Sequence, residues 1–223
     1  MMKHLLVALV GVAPASRPKN SLLRKLGWSI GHDTAIGPGI YWRLDSVSVG
    51  ACARIGPLNV FRDLADLELG ERGRIGQWNW ISASRPLRRA GGSGSLAIGA
   101  DSALTARHYL DVSGGVRVGH HTTVAGVRST FITHGIDWKR ARQRTRGISI
   151  GNYCIVSSNV ALAPGTHVSD CVVVGMGTTL SGEVGPSGAL VTASRGSAVR
   201  TGLEGAYFSR EIGYINKVEH AVD

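Results

Sequence analysis

The sequence is poor in aromatic residues, cysteine and acidic side chains. Aromatics make up only 6% of the 223 residues. The three cysteines, Cys52, Cys154 and Cys171, contain no CxxC pair. An odd, sparse set offers no disulfide framework and favours a reducing compartment, which places the chain in the cytoplasm. They are expected to act as small core hydrophobes rather than ligands. The apolar run Leu5 to Ala13 is too short to span a bilayer and at the lower end for the apolar part of a signal peptide; Ala13-Pro14-Ala15 mimics a cleavage site, which leaves secretion as the minority reading. Basic residues follow it at once, with Leu22, Leu23 and Leu26 at helix-like spacing, so residues 1–29 read as an amphipathic segment that packs or grazes the inner face of a membrane. Asp and Glu total 15 against 25 Lys and Arg, a net charge of +10. That balance favours anionic partners: phosphate-bearing cofactors, acidic glycans or anionic lipid. No P-loop and no GxGxxG between strand and helix occurs, and the basic run after residue 138 lacks interleaved aromatics, which argues against nucleic acid as a partner.

What is abundant is glycine, with 31 residues and no three-residue period, which points to regularly spaced tight turns or close backbone approaches. An aliphatic residue recurs every six positions at Ile150, Val156, Leu162, Val168, Val174 and Leu180, each followed by a small residue from Gly151 to Ser181. Shorter stretches repeat this upstream: Ile30 and Ile36, Val49 and Ile55, Leu69 and Ile75, then Ile98, Leu104 and Leu110, then Val118 and Val124. Six fits neither an α-helix nor a meander of long strands. It fits short strands with tight corners, three to a turn, so that each inward residue sits on its equivalent about eighteen residues away. One turn cannot bury its own face, so the stack must supply the core. The predicted architecture is all-β: a parallel β-helix over residues 30–200, preceded by a short helical segment and followed by a cap or tail over 201–223. Breaks in the repeat mark insertions, the clearest being Arg85 to Gly94 and the basic loop 137–147.

The stretch from Ile150-Gly151-Asn152 through Ala163-Pro164-Gly165 to Val174-Gly175-Met176-Gly177 resembles the hexapeptide-repeat acyltransferases, and most of all their sugar and polysaccharide O-acetyltransferase branch. The resemblance runs over roughly residues 30–200 and is strongest after Val118. It implies a left-handed coil, a homotrimer with active sites between neighbouring prisms, acetyl-CoA as donor and a saccharide hydroxyl as acceptor.

Acyl transfer to a hydroxyl needs a base, oxyanion donors and a slot for the donor's arm. His134, in Phe131-Ile132-Thr133-His134-Gly135, ends a repeat segment just before the basic loop and matches the family's catalytic histidine. His108 is a second candidate. Counting inward residues puts His108 and His134 on different prism faces, so they should not stack within one subunit but could meet across a trimer interface, as could Asp111, which could orient an imidazole. His120 and His121 are adjacent and would point to opposite sides of an extended strand. With His4, His32, His167 and His220 they read as structural or solvent-facing. No set of histidines has the spacing of a zinc site, so no metal is expected. Carried over by position, Ser158, Met176, Gly177 and Ser181 would line the slot for the pantetheine arm, Met176 standing where the family usually has alanine. Arg195 and Arg200 would hold nucleotide phosphates, in a turn that lacks the family's usual proline. The basic loop, with Lys139, Arg140, Arg142, Arg144 and Arg146, would be a solvated excursion or a phosphate or acceptor contact. A non-catalytic scaffold, an N-acetyltransferase on an amino sugar and an acyl-carrier-protein donor remain alternatives.

Overall fold

The computed structural model describes residues 2–192. Three stacks of short parallel strands form the faces of a triangular prism, with eight, eight and seven strands. The chain visits the faces in rotation, which makes this a parallel β-helix; it is of the left-handed form, opposite in hand to ordinary crossovers. On face one the inward residues stack in the order Ile30, Val49, Leu69, Ile98, Val118, Ile150, Val168 and Val184. Face two stacks Ile36, Ile55, Ile75, Leu104, Val124, Val156 and Val174. Face three stacks Tyr41, Phe61, Ile81, Leu110, Phe131, Leu162 and Leu180. They include every residue of the six-residue repeat read from the sequence, and add Tyr41, Phe61, Ile81, Phe131 and Val184; all are buried. Each contributes about 1.5–3 kcal/mol through burial. Tyr41 and Phe61 also stack ring on ring at 5.3 Å.

Corners and close approaches fall to different residues. Between faces one and two the left-handed backbone position is taken by Asp33, Cys52, Arg72, Asp101, His121, Tyr153 and Cys171, three residues after each inward aliphatic. The glycines that directly follow the inward residues serve close approach instead. A Cβ on Gly50 would lie 2.5 Å from the Glu71 backbone nitrogen, and one on Gly70 2.5 Å from that of Ala100. This placement corrects two expectations. Cys52 and Cys171 are exposed because their corner conformation turns the side chain outward, leaving Cys154 alone in the core. His120 and His121 also sit at a corner rather than in a strand, so both rings lie on the outside, 5.2 Å apart, with His121 stacked on Tyr153.

The amphipathic segment forms two helices, α1 (Met2–Gly11) and α2 (Arg17–Lys25). Ser16 caps α2, its hydroxyl accepting from the Lys19 backbone N–H. Lys19 is buried, and its ammonium donates to the carbonyls of Gly11, Ala13 and Gly37 at 2.8–2.9 Å, which pins the helices to the first coil. Burial lowers its pKa to about 8. α1 packs on the Gly39–Trp42 strand and leaves Leu5, Leu6 and Leu9 exposed. Of the expected insertions, the first holds helix α3 (Arg85–Arg89). The second is an antiparallel hairpin of His134–Asp137 with Arg142–Thr145, so it begins three residues earlier than the repeat break suggests. No helix among the described residues is long and apolar enough to cross a membrane. The expected tail, residues 201–223, lies outside the described residues.

Candidate active site

His134 is the first residue of the hairpin and pairs with Thr145, just after the face-three strand Thr130–Phe131. Its Nδ1–H donates to Asp111 Oδ2 at 2.8 Å. Asp111 ends the strand one coil below, directly after the inward Leu110. The two therefore meet within one chain, not across an interface as expected. The cause is the turn after face three, which brings the first hairpin residue back over the end of the preceding coil. Oδ2 of Asp111 also accepts from the Thr133 amide at 2.9 Å and hydroxyl at 2.7 Å. Its other oxygen accepts from the Ser113 amide and hydroxyl. The Ser113 hydroxyl in turn accepts from the Ser84 amide at 2.8 Å. Three successive coils are thus joined at the dyad.

The charges follow from this network. Burial pushes the Asp111 carboxyl up, but the hydrogen bonds from His134, Ser113 and Thr133 together outweigh it and hold its pKa at about 2. The hydrogen bond to Asp111 raises the His134 pKa, with burial opposing. The His134 side chain is 38% exposed and that of Asp111 only 7%. An imidazole that donates its Nδ1–H to a buried carboxylate carries its lone pair on Nε2, which is the tautomer a general base needs.

His108 has a different role. It lies at the corner between faces two and three, the opposite end of face three from His134. There the chain builds a buried polar ladder, one rung per coil. Asn59 Oδ1 accepts from the Asn79 amide at 2.8 Å, Asn79 Oδ1 from the His108 amide at 2.9 Å, and His108 Nδ1 from the Ser129 amide at 3.1 Å. His108 Nε2 donates to the Thr105 hydroxyl at 3.0 Å. Both ring nitrogens are occupied, and burial lowers the pKa to about 4, so the ring is neutral and structural. A signal for this was available: Asn59, Asn79 and His108 each stand four residues after an inward residue of face two.

The carried-over slot residues divide between two edges. Ser158 and Met176 lie on successive coils of the His108 edge, where the Gly177 amide donates to the Ser158 carbonyl at 3.1 Å. The Ser158 hydroxyl accepts from the Val127 amide. Met176 is 68% exposed. Ser181 follows Leu180 on the other edge, the one that carries His134. Arg195 and Arg200 lie outside the described residues. From Gly135, the residue after His134, the hairpin and Pro164 frame a cavity of about 510 Å³, with Trp138, Lys139, Arg140, Arg144 and Arg146 set against one carboxylate, Asp137. Asp137 pairs with Arg140 and Arg144. Among the described residues the metal-ligating side chains that converge are His32, Asp33 and Cys52, all exposed at a first-coil corner and on another edge from His134.

No family model matches the chain. The bifunctional protein GlmU of Acidithiobacillus ferrooxidans, in two strains, is 30% identical over 168 residues, which is 74% of this chain and 30% of the relative. The chain thus spans less than a third of the length of these curated relatives. A solved structure described as a hexapeptide-repeat containing acetyltransferase, from Vibrio cholerae, has a TM-score of 0.46 and 13% identity, covering 90% of this chain and 88% of that one.

Proposed function

We propose that the chain is an acetyltransferase that moves the acetyl group of acetyl-CoA to a hydroxyl of a saccharide or glycan precursor. The observation that carries this is the Asp111–His134 pair, held at 2.8 Å at the start of the hairpin whose next residue, Gly135, begins the lining of a cation-rich cavity. In the proposed reaction Nε2 takes the acceptor's hydroxyl proton as the oxygen attacks the thioester carbonyl. The imidazolium forms against the Asp111 carboxylate, and backbone amides hold the oxyanion. Collapse expels the thiolate, which receives the proton from Nε2. Lys139, Arg140, Arg144 and Arg146 would complement donor phosphates.

A homotrimer accommodates the division of the slot. Face three separates the His134 edge from the Met176 edge within one chain, so a neighbouring copy would place one edge against the other. The outward row of that face is apolar in its first coils, with Ile40, Trp80 and Tyr109 exposed, which suits contact between copies. The exposed leucines of α1 would serve a peripheral contact with the inner membrane face.

The test is thiol release from acetyl-CoA in an acceptor screen. His134→Ala is expected to lower transfer by about 10²–10⁴-fold while coenzyme A still raises the melting temperature. Full turnover in His134→Ala would remove the histidine from the reaction. Absence of any stabilisation at millimolar coenzyme A would leave a scaffold instead.

A further inference from the structure

A second basic cavity of about 470 Å³ lies on the same edge as Asp111, nearer the start of the coil. Trp42, Arg43 and His4 line it from one side, and Arg85, Arg88 and Arg89 of α3 from the other. Its two carboxylates are already neutralised. Asp45 pairs with Arg88, and Asp63 with Arg43 and Arg62. Arg88 also donates to the Asp63 carbonyl at 2.7 Å, so it acts as a strut. Arg85 and Arg89 are exposed and pair with no carboxylate among the described residues. The lining therefore presents uncompensated cations around the half-buried indole of Trp42.

Its position relative to the dyad is set by register. Trp42 pairs with Arg62, Arg62 with Ser82 and Ser82 with Asp111, all in one outer row at the end of face three. Three inter-strand steps of about 4.8 Å put Trp42 about 14 Å from Asp111 along the edge. Helix α3 bridges the gap. It leaves the coil directly after Ser84, whose amide is bonded to the Ser113 hydroxyl of the Asp111 network, and it packs against the second hairpin strand. The cavity and the base are thus linked through α3 and the Ser84–Ser113 hydrogen bond.

We propose that this cavity is a subsite for the acidic groups, carboxylate or phosphate, of a glycan that continues along the edge to His134. Its reach to His134 rests on the acetyl-transfer reading; its binding of acidic sugars does not. Guanidinium groups match carboxylate and phosphate in fork geometry, and, with Arg43 already stacked 5.2 Å from the centre of the Trp42 ring, a sugar ring would use the opposite indole face as its apolar platform. A single sugar cannot bridge the two positions, so the acceptor would be an oligomer rather than a free monosaccharide.

The experiment is calorimetric titration of the full chain with oligogalacturonides, with poly(glycerol phosphate) oligomers, and with neutral maltooligosaccharides of similar length. One acidic series should bind and the neutral one should not; which acidic series binds tells carboxylate from phosphate. The surface double variant Arg85→Gln/Arg89→Gln should weaken that binding by about tenfold or more, the loss expected for charge-assisted contacts. Tryptophan emission should change when the acidic oligomer binds to the wild type, and Trp42→Phe should remove that change. Equal binding of neutral oligomers, no binding of either acidic series, or undiminished binding by the double variant would overturn the subsite. Failure of acetyl transfer to an oligomer that does bind would instead count against the reading of His134, leaving the subsite in place.

Discussion

Replacing Asp111 by Asn tests the candidate site most directly. The carboxylate accepts from His134 Nδ1–H and from Thr133 through one oxygen, and from Ser113 through the other. An amide supplies one acceptor only. With its oxygen toward His134 it turns N–H groups against the Ser113 amide. Flipped, it donates to Nδ1 and moves the imidazole proton to Nε2, the atom that must act as base. Either arrangement removes the negative charge facing the imidazolium. Transfer is expected to fall by about 10²–10⁴-fold. Because Asp111 raises the His134 pKa above 6.5, the wild-type rate should rise with pH through an apparent value above 6.5. In Asp111→Asn that limb should move to lower pH. Stability should change as well. A carboxyl held at about 2 instead of 3.8 contributes on the order of 2 kcal/mol. That contribution is present above the unfolded pKa and is lost as pH falls from about 4 to 2, and the variant should lack this acid dependence. The assays are the pH profile of thiol release and the titration of the His134 ring followed by NMR. An unchanged acidic limb together with an unchanged ring titration would refute the coupling of Asp111 to His134.

Three further outcomes follow from the coil. His108→Ala leaves the Ser129 amide without its acceptor and should cost about 1–3 kcal/mol in denaturant unfolding, whereas His108→Asn, matching the rung at Asn79, should restore most of it and keep transfer. With the folded pKa at about 4 against 6.5, the neutral ring stabilises the fold above pH 6.5, and this should be lost as pH falls towards 4 in the wild type but not in His108→Asn. Gly50→Ala drives a Cβ into the next coil's backbone and should cost about 1–3 kcal/mol or more, while Gly177→Ala, with no atom within 4 Å but φ at +75°, should cost about 1 kcal/mol. Lys19→Met leaves three carbonyls without their shared donor and should release the N-terminal helices to limited proteolysis before the coil unfolds.

Much of the fold was legible because six-residue spacing is a local property. Each residue from Ile150 to Leu180 in the repeat is one whose neighbours three segments away are of the same kind, so burial at one position implies burial at the next. Where the chain departs from that period, the same reasoning loses its footing. The corner residues Cys52 and Cys171 look like core residues by type and are exposed by conformation. The hairpin starts at His134 rather than at Asp137, because strand pairing with Thr145, invisible to a six-residue count, sets its first residue.

The residues of the site divide in the same way. His134 could be picked out from its place at a break in the repeat, and the hexapeptide spacing gave the stack and most inward residues of faces one and two, while Tyr41, Phe61, Ile81 and Phe131 of face three emerged only from the strand pairing. Only the tertiary structure decided that Asp111 lies under His134 within one chain, that His108 is a rung of a buried ladder, and that an arginine helix shares the edge with the dyad. The physical reason is that inward burial repeats with the sequence, whereas outer contacts depend on the lengths of the insertions between coils. Those lengths set which corner residue of one turn stands over which residue of the turn before it.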